Sequence, residues 1–469
     1  MGGLDIGRIV LDSRKVTAGD LFAALPGNVT DGRDHIAGAV RRGAVAVLAP
    51  LGTVWPDTVA ARPLLTDPEP RRLMAFMASV LAGARPDVVA AVTGTNGKTS
   101  TVEFLRQFWT RAGLRAASLG TLGVIASGRA PGPGLTTPDP VTLADTLAAL
   151  ARDGVRHVAM EASSHGLDQY RLDGVRLAAA GFTNLTRDHL DYHVTMASYR
   201  AAKLRLIGAL LPMRSPVVAH AGMDPMTLES IRGASLARRH IFHTVGEGGT
   251  LLRLLAAAPR PDGQDLTLLV EGTRREVRLN LPGRFQADNV LVAAGLAHVL
   301  SQADVLSHIP YLTGVRGRME LAARLPNGAA AYVDYAHTPD ALERLLTALR
   351  PHTAGKLRIV FGAGGDRDRG KRPLMGAAAA RLADQVFVTD DNPRGEPPEA
   401  IRAAVLEGCP GAIVMGDRRL AIEAGLNALA PGDVLVVAGK GHEQGQIIAG
   451  AVHPFDDAGV IRALAGTAA

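Results

Sequence analysis

The sequence predicts an α/β protein of three domains, in which helices cover parallel β-sheets. From residue 88 onward, short apolar runs of strand type alternate with alanine- and leucine-rich helical stretches, a pattern typical of parallel sheets. A glycine-rich loop follows the first of these strands and precedes a predicted helix over 101–110. The same alternation resumes after Gly314. We therefore expect a central parallel-sheet domain with a glycine-rich phosphate loop, followed by a Rossmann-like α/β domain.

The length of 469 residues corresponds to about three domains of roughly 150 residues each. We predict an N-terminal domain over 1–85, a central domain over 86–315 and a C-terminal domain over 316–469. The first boundary falls at Arg85-Pro86-Asp87, which has the composition of a linker. The predicted strands, besides a β-meander at 253–281, lie at 21–25, 88–93, 155–160, 178–183, 217–220, 330–333, 358–362, 385–389 and 434–438.

The composition excludes several classes of protein. A hydrophobic fraction of 47% with 20% charged residues is typical of a globular chain and not of a disordered one. Cys409 is the single cysteine, so an internal disulfide is excluded and a reducing compartment is expected. Asp5 and Arg8 lie where a signal peptide would need an apolar core, and no apolar run approaches the roughly 20 residues of a membrane span. These features predict a cytoplasmic protein without membrane insertion.

The net charge of +6 does not indicate a nucleic-acid partner. The chain has no run of five basic residues, and its aromatic content of 4% is too low for a base-stacking surface. A modest positive excess suits small polyanionic substrates equally well. Lysine occupies only six positions among the 51 basic residues, so each lysine that remains is a candidate for a specific role. Four of the six fall in the motifs described next: Lys98, Lys203, Lys371 and Lys440.

The segment Thr93-Gly94-Thr95-Asn96-Gly97-Lys98-Thr99-Ser100 is the sharpest local signal. Its glycines let backbone amides curl around phosphates, Lys98 supplies a point charge, and the Thr99 hydroxyl can reach Mg²⁺. Gly94 and Gly97 are separated by two residues, not the four of the Walker motif, so a simple glycine-rich turn is the alternative. The strand before the loop and the helix after it favour phosphate binding.

Two further polar segments each follow a predicted strand. Glu161, in MEASSHGL at 160–167, is placed to hold the magnesium of a nucleotide, although this segment could also be a helix cap. The segment TRDHLDYH at 186–193 precedes a predicted helix that carries Tyr199 and Lys203 on one face. The alternative for this second segment is a solvated helix start, with Asp188 as its cap and Lys203 on the surface.

Three charged loops follow strands in the last third of the chain. They read GGDRDRGKR at 364–372, DDNPR at 390–394 and GKGHE at 439–443. In a parallel sheet they would emerge at one edge and form a crevice with both signs of charge, suited to a zwitterion or to carboxylates. Each loop alone could be an ordinary turn.

Taken together, these segments resemble the Mur ligase family, and most closely its members that add 2,6-diaminopimelate. The resemblance covers nearly the whole chain in the order of the family. Its motifs are DSRKV at 12–16, TGTNGKTS at 93–100, TTPD at 136–139, MEASSHGL at 160–167, NLTRDHLDYH at 184–193, YRAAK at 199–203, LPGRFQADN at 281–289, GRME at 317–320, VDYAHTPDAL at 333–342, GGDRDRGKR at 364–372, DNPR at 391–394 and GKGHE at 439–443.

The resemblance implies an ATP-dependent, amide-forming ligase of peptidoglycan biosynthesis. Its substrates would be UDP-N-acetylmuramoyl-L-alanyl-D-glutamate and meso-2,6-diaminopimelate, joined through an acyl phosphate. The oligomeric state is left open, with a monomer favoured. Two magnesium ions are implied, held by Thr99, Glu161, His189 and a carbamylated Lys203; with Lys98, the last three would be the catalytic residues.

The resemblance also implies three sets of binding residues. Those for ATP are Gly94, Thr95, Asn96, Gly97, Lys98, Thr99, Ser100, Asn289, Arg318 and Asp334, with His337 nearby. Those for the UDP-substrate are Leu11, Ser13, Asn28, Val29, Thr30, Thr136, Thr137, Ser163, Gln169 and Arg171. Those for diaminopimelate are Arg367, Asp391, Asn392, Pro393, Arg394, Gly439 and Glu443.

Other functions fit the sequence less well. A lysine-adding Mur ligase or a folylpolyglutamate-synthase-like ligase is disfavoured by the DNPR segment. A catalytically inactive nucleotide-binding scaffold has no need to keep Lys98, Glu161, His189 and Lys203 together. A generic P-loop NTPase is disfavoured by the short glycine spacing and by the three charged loops.

Overall fold

The computed structural model describes residues 5–27, 30–129, 134–301 and 304–466. The chain divides into two compact units. The first unit comprises Met1–Leu251 with Leu291–Val305, and the second comprises Leu252–Val290 with Leu306–Ala469. None of the helices in the described ranges has both the length and the apolar character needed to span a bilayer.

The first unit begins with a sheet of four parallel strands in the order β1-β2-β3-β4. The central strands are almost fully buried, which explains why their sequences are apolar at every position. The predicted strand at 21–25 is shorter in the structure and ends at Ala23. The elements of this part are β1 (Ile9–Val10), β2 (Leu21–Ala23), α1 (Ile36–Arg41), β3 (Ala46–Pro50), β4 (Leu64–Asp67) and α2 (Pro70–Ala82).

The rest of the first unit is built on a parallel sheet, as the sequence predicts. Its strands run in the order β11-β10-β9-β5-β8-β6-β7, and only β7 is antiparallel to its neighbour. The elements are β5 (Val88–Thr93), α3 (Lys98–Arg111), β6 (Ala116–Gly120), β7 (Gly123–Ala126), α4 (Pro140–Arg152), β8 (His157–Glu161), α5 (Ser164–Asp168), β9 (Ala179–Phe182), α6 (Leu190–His193), α7 (Met196–Arg205), β10 (Pro216–His220), α8 (Pro225–Ala237) and β11 (Ile241–Gly246).

Helix α3 begins three residues before the predicted start at 101. Gly97 occupies its N-cap in the left-handed region, at φ 83°, a conformation that glycine adopts without steric cost. The helix can therefore start at Lys98, directly after the loop. The first-turn amides of α3 consequently face the carboxyl edge of the sheet, where phosphates bind at helix N-termini.

The second unit contains the predicted meander and a six-stranded sheet. The meander strands β12 to β14 are antiparallel, and the six-stranded sheet has the order β15-β16-β20-β17-β18-β19, with only β15 antiparallel. Helix α9 (Arg284–Ser301) runs through residues of both units. The other elements are β12 (Leu252–Arg260), β13 (Gly263–Val270), β14 (Thr273–Leu279), α10 (Val305–His308), β15 (Glu320–Arg324), β16 (Ala330–Asp334), α11 (Pro339–Leu349), β17 (Leu357–Phe361), α12 (Lys371–Leu382), β18 (Gln385–Val388), α13 (Pro398–Leu406), β19 (Ile413–Val414), α14 (Arg418–Asn427), β20 (Val434–Ala438), β21 (Gly445–Ile448), β22 (Ala451–Pro454) and α15 (Asp457–Leu464).

A fully buried ion pair joins α14 to α15 beneath this sheet. Arg418 donates to the two carboxylate oxygens of Asp457 at 2.8 and 2.7 Å, and to the carbonyl of Ala438 at 3.0 Å. Both side chains are inaccessible to solvent. The removal of one partner from such a pair is costly, because the other charge then stays buried without compensation. The pair therefore ties the two helices together.

We predict that Asp457→Ala lowers the free energy of unfolding by about 3–5 kcal/mol, because the buried Arg418 guanidinium is left without its carboxylate. Differential scanning calorimetry or urea unfolding followed by circular dichroism would measure the change. The matched control is Asp340→Ala, which removes an exposed partner of Arg344 and should cost at most about 1 kcal/mol. Equal effects of the two substitutions would contradict the prediction.

Candidate active site

The glycine-rich loop after β5 is held in a tight turn by hydrogen bonds from Lys98, the lysine at its end. The Lys98 ammonium donates to the carbonyls of Gly94 and Thr95, both at 2.9 Å. Gly94 has a φ of 154°, and a side chain there would collide with the Thr183 hydroxyl. Ser100 is buried in the first turn of α3. The loop therefore has the compact, lysine-bearing form that the sequence predicts for phosphate binding.

Residues after β9 brace this loop from the neighbouring strand. The carbonyl of Asn96 accepts hydrogen bonds from Thr183 Oγ1 at 2.6 Å and Asn184 Nδ2 at 3.1 Å. The Asn184 amide oxygen in turn accepts from the Asn96 backbone N–H at 2.9 Å. The phosphate loop is thus held on both sides of Asn96, which fixes its backbone before any ligand is bound.

Glu161 lies at the carboxyl end of β8 with 1% of its surface exposed. Its Oε1 accepts from Thr99 Oγ1 at 3.0 Å and from the Thr121 backbone N–H at 2.7 Å, while Oε2 accepts from Thr121 Oγ1 at 3.3 Å. A methyl group at Gly120 would overlap with this carboxylate. Hydrogen bonds therefore hold the Glu161 carboxylate in place beside the phosphate loop. The helix cap in this segment is Ser163, whose Oγ accepts from the Gly166 N–H at 3.0 Å.

The pairing of Thr99 with Glu161 fits a magnesium ion. A hydroxyl and a carboxylate are the hard oxygen donors that Mg²⁺ prefers, and here they lie in hydrogen-bond contact beside a phosphate-type loop. Within the described ranges, no group of three or more His, Cys, Asp and Glu side chains is arranged to hold a metal.

Lys203 is buried, so the alternative of a surface lysine on α7 is wrong. Its ammonium donates to the same Gly94 carbonyl that Lys98 contacts, at 2.8 Å, and lies 4.5 Å from the centre of the Tyr199 ring. Burial, and next the nearby charge of Lys98, hold the pKa of Lys203 well below its ordinary value. The Tyr199 hydroxyl is hydrogen-bonded to Thr95 Oγ1 at 3.1 Å, so both predicted residues on this helix face point to the loop.

His189 belongs to a cluster of aromatic rings close to Lys203. It is in the left-handed region at φ 51°, and its ring centre lies 4.9 Å from that of His165 and 6.1 Å from that of Tyr199. Its Nε2 is 3.5 Å from the Asp188 carboxylate, and nearly half of its side chain is exposed. The backbone N–H of His189, the residue before α6, donates to Asp188 Oδ1 at 2.8 Å. Asp188 therefore braces His189.

Five of the residues assigned to the UDP-substrate lie together beside Glu161. The Thr136 hydroxyl meets that of Thr121 at 3.0 Å. Thr137 Oγ1 donates to the Glu161 carbonyl and accepts from the Ser163 N–H, both at 3.1 Å. Arg171 reaches the Thr137 carbonyl at 2.6 Å and Gln169 Oε1 at 2.7 Å.

Three further residues assigned to the UDP-substrate, Leu11, Ser13 and Thr30, lie in the N-terminal sheet region. Leu11 is 40% exposed directly after β1, and Ser13 starts a single turn of 3₁₀-helix. The Thr30 hydroxyl is hydrogen-bonded to His35 Nε2 at 2.9 Å. Asn28 and Val29 lie outside the described residues.

The three charged loops of the second unit meet at one sheet edge, as predicted. The Gly365 N–H donates to the Asn392 carbonyl at 2.9 Å, and the Asn392 side-chain N–H₂ donates to Glu443 Oε2 at 3.0 Å. Gly439 has a φ of 117°, and a side chain at this position would approach Asp391 Oδ2. Asp391 and Asn392 are buried, whereas Arg367 is exposed on its loop.

Arg394 is held by backbone groups on three sides. Its guanidinium donates to the Gly365 carbonyl at 2.8 Å, its N–H donates to the Ile447 carbonyl at 3.0 Å, and its carbonyl accepts from the Ala449 N–H at 2.8 Å. The nearby Glu396 pairs with Arg372 at 2.9 Å. Arg394 and the preceding Pro393 therefore sit in a preformed loop.

The other residues assigned to ATP belong to the second unit. Asn289 is buried on α9, and the Arg318 guanidinium stacks over the Tyr335 ring at 4.5 Å. Asp334 accepts from the N–H groups of Met319 at 2.7 Å and Ala336 at 2.8 Å. Burial raises the pKa of Asp334, an effect that the Arg318 charge opposes. His337 Nδ1 lies 2.8 Å from the Tyr335 carbonyl.

Sequence reasoning missed two residues that hold these groups, and it singled out a third without assigning it a role. Thr121 fixes Glu161 through two hydrogen bonds, Asn184 braces Asn96, and Lys440 lies among the amino-acid loops. Thr121 follows β6 directly and Asn184 follows β9, so the rule that ligand sites collect at the ends of parallel strands could have found both. For Lys440, the rarity of lysine was the available signal.

Comparisons with known proteins give one consistent result. The Mur ligase middle domain matches residues 92–297, the Mur ligase glutamate ligase domain matches 317–441, and the Mur ligase catalytic domain matches 5–62. The chain is 54% identical to the UDP-N-acetylmuramoyl-L-alanyl-D-glutamate–2,6-diaminopimelate ligase of Caulobacter vibrioides, over 98% of this chain and 96% of the relative. It is 49% identical to the ligase of the same name from Rhizobium meliloti, over 99% and 95%.

The comparison with solved structures points to the same family as the comparison of sequences. A structure of a UDP-N-acetylmuramoyl-L-alanyl-D-glutamate–2,6-diaminopimelate ligase has a TM-score of 0.73 and 32% identity, covering 98% of this chain and 95% of its own. The MurF ligase of Thermotoga maritima, solved with ADP, shares the fold at a TM-score of 0.63 and 19% identity, over 94% of this chain and 96% of its own. With full-length relatives near 50% identity, the chain belongs to the Mur ligase family of ATP-dependent amide-forming ligases.

Proposed function

We propose that this protein joins meso-2,6-diaminopimelate to UDP-N-acetylmuramoyl-L-alanyl-D-glutamate at the expense of ATP, in peptidoglycan biosynthesis. The observation that carries the proposal is the identity of 54% along the whole chain to a ligase with that name. The loops that would recognise the amino acid are intact and preformed, which supports it. We also propose the domain limits 1–85, 86–315 and 316–469, and action in the cytoplasm.

The phosphate loop supports transfer of a phosphoryl group to the substrate carboxylate. This step brings two anions together, so cations must neutralise the charge that develops. Lys98 would supply one of them at the loop. Thr99 and Glu161 would hold a magnesium ion, which when bound neutralises phosphate charge and orients the phosphates. The amine of diaminopimelate would then displace phosphate from the acyl phosphate, forming the amide bond.

Lys203 is the residue best placed to become a carbamate. Its neutral amine would add to CO₂, forming a nitrogen–carbon bond and releasing one proton to solvent, which leaves an anionic carbamate with oxygen donors in place of the amine. A neutral amine is the reactive form, and the lowered pKa of Lys203 increases its population. With His189 close to Tyr199 and Lys203, this would provide ligands for a second magnesium ion.

The amino-acid loops would bind diaminopimelate through opposite charges. Arg394 suits the distal carboxylate that distinguishes diaminopimelate from lysine, since a guanidinium binds carboxylate through two parallel hydrogen bonds. Arg367 offers a second cation on the adjacent loop. Asp391 and Glu443 are placed to meet an ammonium group, and Gly439 allows close approach of the backbone.

We predict that Gly120→Ala reduces turnover by at least ~10²-fold, because its methyl group displaces the Glu161 carboxylate and the electrostatic contact it provides. Phosphate release under saturating substrates would measure the loss. The matched control is Gly233→Ala, where an added methyl group meets open space on α8 and should leave turnover unchanged. Normal turnover in folded Gly120→Ala would show that the position of Glu161 is unimportant.

We predict that Lys203→Ala is inactive and that a short carboxylic acid partly restores turnover by supplying the missing oxygens. Lys356→Ala, an exposed lysine, serves as the control and should keep full activity. ¹³C-NMR after equilibration with ¹³CO₂ should show a carbamate signal in the wild type that Lys203→Ala lacks. An unmodified amine in fully active wild-type enzyme would contradict this assignment.

We predict that the wild type strongly prefers meso-diaminopimelate to L-lysine, and that Arg394→Ala sharply raises the KM for diaminopimelate. The KM values for ATP and the UDP-substrate should change little. The assay is ATP-dependent phosphate release with UDP-N-acetylmuramoyl-L-alanyl-D-glutamate and a panel of amino acids. Arg381→Ala, an exposed arginine paired with Glu343, is the control. Equal use of lysine by the wild type would favour a lysine-adding ligase instead.

A further inference from the structure

Lys440 is a fully buried lysine among the amino-acid loops, with 0% of its surface exposed. Its ammonium lies 3.0 Å from Asn392 Oδ1, 3.4 Å from Asp391 Oδ1 and 3.5 Å from Glu443 Oε2. A buried ammonium is costly unless it is paired and hydrogen-bonded. Its three oxygen partners come from two loops, those after β18 and β20, so this cation links them.

The position of Lys440 determines which way the Asn392 amide faces. Asn392 Oδ1 accepts from Lys440 and also from the Ile447 N–H at 2.9 Å. Both of these groups are donors, so the amide oxygen must face them and the N–H₂ must face the other way. That N–H₂ donates to Glu443 Oε2 at 3.0 Å. The orientations of Asn392 and Glu443 are thus coupled through one buried cation.

The same cation lies opposite both carboxylates of the crevice. Asp391 is buried, and its neighbour Arg418 is already neutralised by Asp457. Without Lys440, Asp391 and Glu443 would repel each other across a poorly solvated space, and the Asn392 amide would lose one of its two fixed donors. Asp391, Asn392 and Glu443 would then no longer be held in one arrangement in which they could bind an ammonium group.

We propose that Lys440 is a positioning residue for the amino-acid substrate, which aligns Asp391, Asn392 and Glu443 through its three contacts. The proposal rests on the proposed function, since it assumes that these three residues bind the amino acid. Lys440 acts through them and does not itself contact substrate. Preorganisation of this kind affects substrate binding, because the cost of ordering the site is met before the ligand arrives.

The test uses the full-length enzyme and the variant Lys440→Met, which keeps the length of the side chain and removes its charge. Initial rates of phosphate release are measured while diaminopimelate, ATP and UDP-substrate are varied in turn. We expect the KM for diaminopimelate to rise at least ~10-fold, which corresponds to about 1.4 kcal/mol. The KM values for ATP and the UDP-substrate should stay within about twofold of the wild type, as should all values for the control Lys356→Met.

If Lys440→Met fails to fold, the double variant Lys440→Met/Asp391→Asn separates positioning from stability. It leaves no unpaired carboxylate at position 391, because asparagine is neutral. It should fold and have a higher KM for diaminopimelate than the single variant Asp391→Asn, since Asn392 still lacks its lysine donor. A wild-type KM for diaminopimelate in either folded variant, or an equal rise in all three KM values, would overturn the proposal. Failure of the wild type to use diaminopimelate would instead overturn the proposed function.

Discussion

The carboxyl edges of the central sheet and of the six-stranded sheet are the constraint on which the rest of the molecule depends. Every strand of a parallel sheet delivers its following loop to the same edge, so polar segments far apart in sequence meet there. In the first unit this brings Glu161 to Thr99, and Asn184 to Asn96. In the second unit it brings Glu443 to Asn392. Because the loops brace one another, the geometry of each site depends on several strands of its sheet and not on one loop alone.

Both units bury a lysine at this edge, and their surroundings give the two lysines different chemistry. Lys203 meets a backbone carbonyl and an aromatic ring, and burial with a second ammonium nearby lowers its pKa. Lys440 meets an amide oxygen and two carboxylates. The first environment lowers the pKa of its lysine, whereas the second surrounds its lysine with oxygen atoms from two loops. A site that joins an anionic carboxylate to an amine can use both kinds of lysine.

The same fold occurs in structures that carry other names, so the fold alone does not decide the substrate. MurF and folylpolyglutamate synthase structures align with TM-scores of 0.63 and 0.64 at about 20% identity. The difference must lie in the loops at the sheet edge, where function is carried by particular side chains. In this chain the Arg394 guanidinium donates to the Gly365 carbonyl and its backbone N–H donates to the Ile447 carbonyl, so contacts within the protein hold this residue.

The sequence by itself determined the α/β class, the parallel central sheet, the meander and most strand positions, because apolar runs and glycine-rich loops are local signals. The strand at 88–93 agrees with the structure at both ends. It also determined the motifs that carry Lys98, Glu161, Lys203 and Arg394. Only the tertiary structure decided that Lys203 is buried against the Gly94 carbonyl and not exposed on α7. Likewise, only the order of strands in each sheet brought Thr121 to Glu161 and Lys440 to Asn392. These contacts depend on burial and on the order of strands in a sheet, and neither is encoded in the residues adjacent to a motif.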